Sequence, residues 1–365
     1  MKILVVQEYL RSGGTERQSV LLANAFAAAG HATTLLTFRP GGVRAATVAP
    51  AVTHRALQPF DLGWDWFAPG LARAAARIKP DIALCMGRMA NCYGAPLQDT
   101  QPGAAVVATM RTGKPLPARF RRSLHRCRHV VANSRDARAT LIGEYGVAAD
   151  QISVIHNSLV FPAAGDDPGA ASHRQAGRVE HRAGPDTNVL LCVAMFRPEK
   201  NQRELIEIVA GLPPDARWQL WLAGDGPARA ACETLAAARG VSDRVKFLGF
   251  HANPSALYAA ADVAVHASGS EALSNFLIEA QAHGLPFVAY EAQGIRECGR
   301  PGQTGWPIAR DDRAAFRAAL LPRMSEPAVA RVALADAARA YARETFDPAR
   351  QVAAYLELFT RLRST

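Results

Sequence analysis

Apolar residues in this chain come in short unbroken runs, and the stretches between those runs carry helical spacing. Residues 2–6 form the first run, and a Gly13-Gly14 turn follows it. A helical pattern then covers about 15–29, with Val20, Leu21, Ala23, Phe26 and Ala27 in phase, and it stops at Gly30. Ala32–Phe38 and the runs at 82–86, 104–109 and 129–132 read as further strands. Strands that are apolar throughout and alternate with helices predict a parallel sheet covered on both faces. Residues 163–187 break this rhythm with Ala, Gly, Pro, Asp and Arg, which predicts an interdomain segment with room for a short helix. The alternation then restarts: Val189–Met195 reads as a strand, and the helix 201–212 carries Leu205, Ile208, Val209 and Leu212 on one face. Strands follow at 218–223, 245–248, 263–266 and 286–289, and the end from about 329 to 363 is helical with a break near Phe346-Asp347-Pro348. The expectation is an α/β protein of two Rossmann-like domains facing a cleft. They cover residues 1–165 and 166–345, and a last helix, 346–365, returns to the first domain.

Composition sharpens that picture through charge. The 365 residues carry a net charge of +10, and 49% are hydrophobic, as in a folded globular protein. The excess is not spread evenly. Residues 1–165 hold 19 basic and 9 acidic side chains, whereas residues 166–365 hold 23 of each. An anionic partner is therefore expected at the front half. The six cysteines (85, 92, 127, 192, 232 and 298) are scattered, with no Cys-x2-Cys pair, which argues against a zinc site and a disulfide framework. No run reaches the 18 or so apolar residues that suggest a membrane span, and the N-terminal run is too short for a signal peptide, so a cytoplasmic location is the expectation.

The segment richest in chemistry is 268–289. Ser274 is a candidate N-cap, which would aim the N–H groups of Asn275, Phe276 and Leu277 at an anion. Glu279 follows about one and a half turns into that helix, and Glu271 precedes it. Both could simply complement the helix dipole. Arg197 and Lys200 flank Pro198 in the loop after strand 189–195, where two cations could meet a growing negative charge. Solvated surface charges are the plainer alternative. Gly13 and Gly14 would let backbone approach a phosphate, or would merely make a tight turn. Gly224-Asp225-Gly226 is a fragment of a dinucleotide fingerprint, but Arg229 replaces the third glycine, which argues against nicotinamide. No P-loop, His-Glu-x-x-His or Gly-x-Ser-x-Gly sequence occurs.

Taken in order, these segments resemble the retaining GT-B glycosyltransferases of family 4. The resemblance runs through Gly13-Gly-Thr-Glu-Arg17, Val130-Val-Ala-Asn-Ser134, Val193–Asn201, Leu222–Gly226, Val245–Phe250, the Glu271-x7-Glu279 pair, Gly294-Ile-Arg-Glu297 and Gly302-Gln-Thr-Gly305-Trp. It implies a nucleoside-diphosphate sugar as co-substrate, with no other cofactor and no divalent metal. Glu279 would hold the ribose, Glu271 would approach the donor sugar, Arg197 and Lys200 would hold the diphosphate, and loops near Phe250 would set the base. Departures occur at Ala272, where glycine is usual, at Asn157-Ser158, where Asn-Gly is common, and at Met110-Arg111, where many relatives place a histidine. Arg111 would then face the acceptor or a phosphate. The resemblance leaves open a sugar-phosphate synthase, an epimerase of the same fold, or a catalytically silent subunit.

The basic excess concentrates in residues 111–138, which hold nine Arg or Lys and one acid, Asp136. Within 117–129, Phe120, Leu124 and Cys127 share a helical face while Arg121, Arg122, Arg126 and Arg128 spread around the rest. Such a helix could rest on an anionic membrane face or dock on its own sheet with a solvated arginine surface. Without aromatic interleaving or a binding motif, nucleic acid is not an expected partner. The expected acceptor is a lipid-linked or envelope glycan of lipopolysaccharide type, met at the inner face of the plasma membrane.

Overall fold

A computed structural model describes residues 1–159, 161 and 170–364. The chain divides into two compact units, one of Met1–Ser158 with Pro348–Thr365 and one of Leu159–Asp347. These divisions fall at 158/159 and 347/348 rather than at 165/166 and 345/346. Each unit is built on one parallel sheet whose strand order reverses beside its first strand.

The first sheet has seven strands: β1 Lys2–Gln7, β2 Ala32–Thr37, β3 Thr53–Ala56, β4 Ile82–Cys85, β5 Ala105–Met110, β6 His129–Ala132 and β7 Ile152–Val154, in the order 3-2-1-4-5-6-7. Alternate residues of β1 feed two cores. Leu4 and Val6 pack with Leu36, Ala83, Cys85, Val106 and Ala108 on one face. Ile3 and Val5 pack on the other with Leu35, Leu84, Val107 and the last helix, Pro348–Arg363, through Tyr355, Leu358 and Phe359. That helix is also tied by Gln351, which donates to the His156 carbonyl at 2.7 Å and accepts from Ser158 Oγ at 2.7 Å. Ser158, where glycine is usual, thus has a bonding role.

The second sheet has six strands: β8 Asn188–Val193, β9 Trp218–Ala223, β10 Val245–Gly249, β11 Val263–His266, β12 Phe287–Tyr290 and β13 Gly305–Ile308, in the order 10-9-8-11-12-13. The interior strands match the apolar runs of the sequence. Of the four edge strands, β10 matches the predicted run at 245–248, whereas β3, β7 and β13 have no such runs, because an edge strand is covered on fewer sides and tolerates polar residues.

The described part of the expected interdomain segment 163–187 contains the short helix, but it belongs to the second unit rather than to a linker. Ala170–Glu180 is a helix packed on the helix Ser255–Ala260 of the second unit. Arg178, buried, reaches Asp262 at 3.1 Å, Arg174 pairs with the other oxygen at 2.5 Å, and Val189 N donates to the same carboxylate at 2.7 Å. These guanidinium groups serve a buried carboxylate. Residues 162–169 lie outside the described part. All six cysteines are buried and free, and no described helix is long and apolar enough to cross a membrane.

Candidate functional site

In open parallel sheets, ligands bind outside the carboxyl ends of the strands, where the strand order reverses. In the second unit that point lies between β8 and β11, and the loops leaving these two strands carry the predicted residues. After β8, Arg197, Pro198, Glu199 and Lys200 make a short turn ended by Asn201 in the left-handed region at φ 52°. After β11, Ser268 and Gly269 dock on that turn: Gly269 N donates to the Glu199 carbonyl at 2.9 Å, and Ser268 Oγ donates to it at 3.2 Å. The two loops are thus one structure.

At their junction Lys200 Nζ donates to Glu271 Oε1 at 2.6 Å, and His266 Nε2 lies 2.8 Å from the same oxygen. An ionised carboxylate only accepts, so His266 Nε2 carries the proton of that bond. Glu271 is buried. Burial alone would raise its carboxyl, yet the Lys200 charge and the His266 hydrogen bond hold it well below the usual carboxylate range. Arg197, three residues away, is exposed, and no ion pair to its guanidinium occurs among the described residues. One cation is therefore committed to a buried carboxylate and the other projects into solvent beside it.

Ser274 caps the helix Asn275–Ala282, its Oγ accepting from Leu277 N at 3.5 Å. The Leu277 N–H is therefore taken by the cap, a correction to its expected role as a free donor. Phe276 and Leu277 are buried and anchor the helix in the core, while Asn275 is half-buried. Glu279 is also half-buried and accepts from the Tyr258 hydroxyl at 2.9 Å. The helix start is held in place by Gly294, at φ 74°, which passes so close to the Ala272 carbonyl that a Cβ there would lie 2.1 Å from its oxygen.

The Gly224-Asp225-Gly226 turn has a comparable role. At φ 137° and 150°, its glycines lie against the carbonyls of Ala194 and Phe196, where a Cβ would come within 2.1 and 2.4 Å. Asp225 accepts from Phe250 N at 3.1 Å, leaving the Phe250 ring exposed. These glycines shape the loop before Arg197 rather than a pyrophosphate site of their own.

In the first unit the strand order reverses between β1 and β4. Gly13 is the N-cap of the helix Gly14–Ala28, and both glycines are half-buried in the loop after β1. Arg111 donates to Asn157 Oδ1 at 2.5 Å and to the Tyr355 hydroxyl at 2.8 Å, joining β5 to the last helix. Glu8, which the sequence analysis did not single out, follows β1 and is buried against Gly87, where a Cβ would lie 1.6 Å from its carboxylate. Burial pushes its carboxyl up to about 7. His266 was missed as well. In both cases the available signal was a polar residue ending or following an apolar run. Among the described residues no group of three His, Cys, Asp or Glu side chains could hold a metal ion.

Comparison with known proteins decides the family. The profile described as Glycosyltransferase Family 4 matches residues 12–159, and that described as Glycosyl transferases group 1 matches residues 174–345. The chain belongs to glycosyltransferase family 4. This family 4 chain is 36% identical to the lipopolysaccharide core biosynthesis glycosyltransferase LpsE of Rhizobium meliloti over 135 residues, which are 37% of this chain and 39% of the relative. It is 27% identical to the D-inositol 3-phosphate glycosyltransferase of Streptomyces scabiei over 311 residues, 79% of this chain and 64% of the relative. Each of these matches spans less than two thirds of the relative's own length. Among solved structures, Anabaena HepE in complex with UDP-glucose superposes with a TM-score of 0.81 at 22% identity, covering 99% of this chain and 100% of that one. The GT-B architecture of this family 4 chain, two Rossmann-like parallel-sheet units, agrees with that neighbour.

Proposed function

We propose that this chain is a retaining hexosyltransferase that moves sugar from a nucleoside diphosphate to a hydroxyl of a lipid-linked or envelope glycan, such as a lipopolysaccharide core. The observation that carries the reading is the union of the β8 and β11 loops, where Arg197 and the Lys200–Glu271–His266 cluster meet at the sheet's reversal point. Arg197 and Lys200 would take the charge that grows on the departing diphosphate, the part a divalent cation plays elsewhere. Glu271, kept ionised, would hold Lys200 in place and face the donor sugar. Glu279, steadied by Tyr258, would accept from the ribose hydroxyls. Ser274, Asn275 and Phe276 would present the helix start to phosphate.

A donor of this class is supported by the UDP-glucose bound to the Anabaena neighbour, and an envelope acceptor by the name of the Rhizobium relative. Peripheral membrane contact is supported by the helix Ala118–Arg126. Phe120 and Leu124 turn inward, while Arg119, Arg121, Arg122 and Arg126 are exposed, with Asp99 the acid near them. Cationic groups near an anionic surface each add about 1 kcal/mol. This supports a location at the inner face of the plasma membrane.

Product analysis tests the reading. With an isotopically labelled nucleotide sugar and delipidated or lipid-linked core acceptors, in buffer containing a chelator, nuclear magnetic resonance is expected to show the donor's anomeric configuration in the new glycoside. Inverted configuration, an epimerised donor or a requirement for added metal would each contradict it.

A further inference from the structure

We propose that the loop 58–67 of the first unit is a carbohydrate platform, on which stacked Trp64 and Trp66 carry pyranose rings of the acceptor glycan. The inference rests on the glycosyl-transfer reading above and names where that acceptor would be held. Its basis is a contrast between order and exposure. Phe60, Trp64 and Trp66 are 64%, 49% and 59% exposed, although burying an aromatic ring is ordinarily worth about 1.5–3 kcal/mol. A mobile loop would explain such exposure, but this one is tied at many points. Buried Gln58 donates to the carbonyls of Trp64 and Phe67 at 2.9 and 2.7 Å, and the Tyr93 hydroxyl donates to the Trp66 carbonyl at 2.5 Å. Phe67 sets its ring against both indoles, edge-on to Trp64 at 75° and at 61° to Trp66. The indoles lie 5.7 Å apart and within 15° of parallel.

Charged groups complete the surface. Arg39 forks onto Asp61 at 2.7 and 2.9 Å and reaches Asp65 at 2.7 Å, while Arg11 binds both oxygens of Asp65 at 2.9 and 2.7 Å. Both guanidinium groups sit over the Tyr9 ring, at 4.0 and 5.1 Å from its centroid. Flat apolar faces rimmed by fixed planar donors and acceptors suit a sugar, which offers C–H faces and a girdle of hydroxyls. Position agrees with chemistry. Tyr9 and Arg11 follow β1, Arg39 follows β2 and the loop follows β3, all at the carboxyl ends where such sheets bind ligands. Arg11 is two residues from Gly13.

A bilayer is the rival occupant, since tryptophan also favours membrane interfaces. The loop argues for sugar: residues 58–67 contain two aspartates and no lysine or arginine, a poor match to an anionic lipid surface.

The test is a fluorescence titration of the full chain with delipidated lipopolysaccharide-core oligosaccharides, maltotriose, cellotriose and chitotriose. Phosphatidylglycerol–phosphatidylethanolamine vesicles and the nucleotides UDP, GDP and ADP serve as separate arms. A saccharide is expected to shift the tryptophan emission of the parent, and calorimetric titration is expected to show Trp64→Ala with Trp66→Ala weakening its binding about ten-fold or more. Trp64→Phe with Trp66→Phe is expected to recover part of that loss, which separates stacking from a folding defect. Emission that responds to vesicles and to no saccharide overturns the proposal in favour of a membrane contact. A silent saccharide panel with intact binding of one nucleotide overturns the platform and leaves the transfer reading standing. Silence to saccharides and to all three nucleotides overturns both.

Discussion

Replacing Lys200 by alanine is expected to lower transfer about a thousand-fold, the scale seen when a preorganised charge-stabilising donor is removed. The substitution strikes twice, removing a cation from the proposed diphosphate site and leaving Glu271 buried with His266 as its remaining described partner. Lys200→Arg keeps the charge but not the compact ammonium that fits at 2.6 Å, and it should recover only part of the rate. Stability carries a second signature. The Glu271 carboxyl is depressed below its ordinary value of 4.5 in the folded chain, so its contribution is present above about that pH and is lost as pH falls through the folded value. Acid unfolding curves of Lys200→Ala should therefore be shallower below that pH than those of the parent, because the variant has less of this stability to lose. Equal curves and full activity would remove Lys200 from the site.

The second large effect is expected at a residue that bears no functional group. Gly294→Ala should destabilise the second unit by about 3–5 kcal/mol, in the range of the severe backbone and overpacking mechanisms. Its φ of 74° is strained for any side chain, and the added Cβ would meet the Ala272 carbonyl oxygen at 2.1 Å. Ala272 cannot retreat freely, since it is buried between Glu271 and the Ser274 cap. Relief by movement would shift Glu271 away from Lys200, so donor affinity should fall with stability. Denaturant melts and nucleotide titrations on the same variant check both. A melt like the parent's would show that the loop accommodates the methyl and that the close approach is not required.

How much of this was legible in the residues follows from what each element buries. The interior strands β1, β4, β5, β8, β9, β11 and β12 are covered on both faces, so their sequences are nearly continuous apolar runs with little ambiguity. The edge strand Thr53–Ala56 is largely exposed and reads Thr-His-Arg-Ala, which no hydrophobic pattern distinguishes from a loop. Arg174 and Arg178 misled in the opposite direction. Their segment read as an interdomain linker, and only tertiary placement shows both turned onto Asp262.

The candidate site divides in the same way. Glu271, Glu279, Arg197 and Lys200 could be singled out because their spacing around two strand ends resembles a family pattern. That Lys200 and His266 share one oxygen of Glu271 could not be read, since it depends on β8 and β11 being neighbours although Lys200 and Glu271 are 71 positions apart in sequence. Arg111 shows the limit of reading a cation from position. Its side chain is engaged with Asn157 and Tyr355, a bond that ties the last helix to the first sheet. The charge asymmetry is likewise partly structural. Arg11 and Arg39 belong to an ion-paired aromatic loop, whereas most arginines of the helix Ala118–Arg126 project outward.

The central claim, that the β8 and β11 loops bind a nucleoside-diphosphate sugar through Arg197 and Lys200, is tested most directly by calorimetric titration. UDP-, GDP- and ADP-sugars would each be titrated into the parent chain and into Arg197→Ala and Lys200→Ala. One donor is expected to bind the parent with a defined stoichiometry of one. Each substitution should weaken it about ten-fold to a hundred-fold, since a hydrogen bond to a charged group contributes about 1.5–3 kcal/mol. No heat from any of the three donors, or equal affinity in parent and variants, would contradict it.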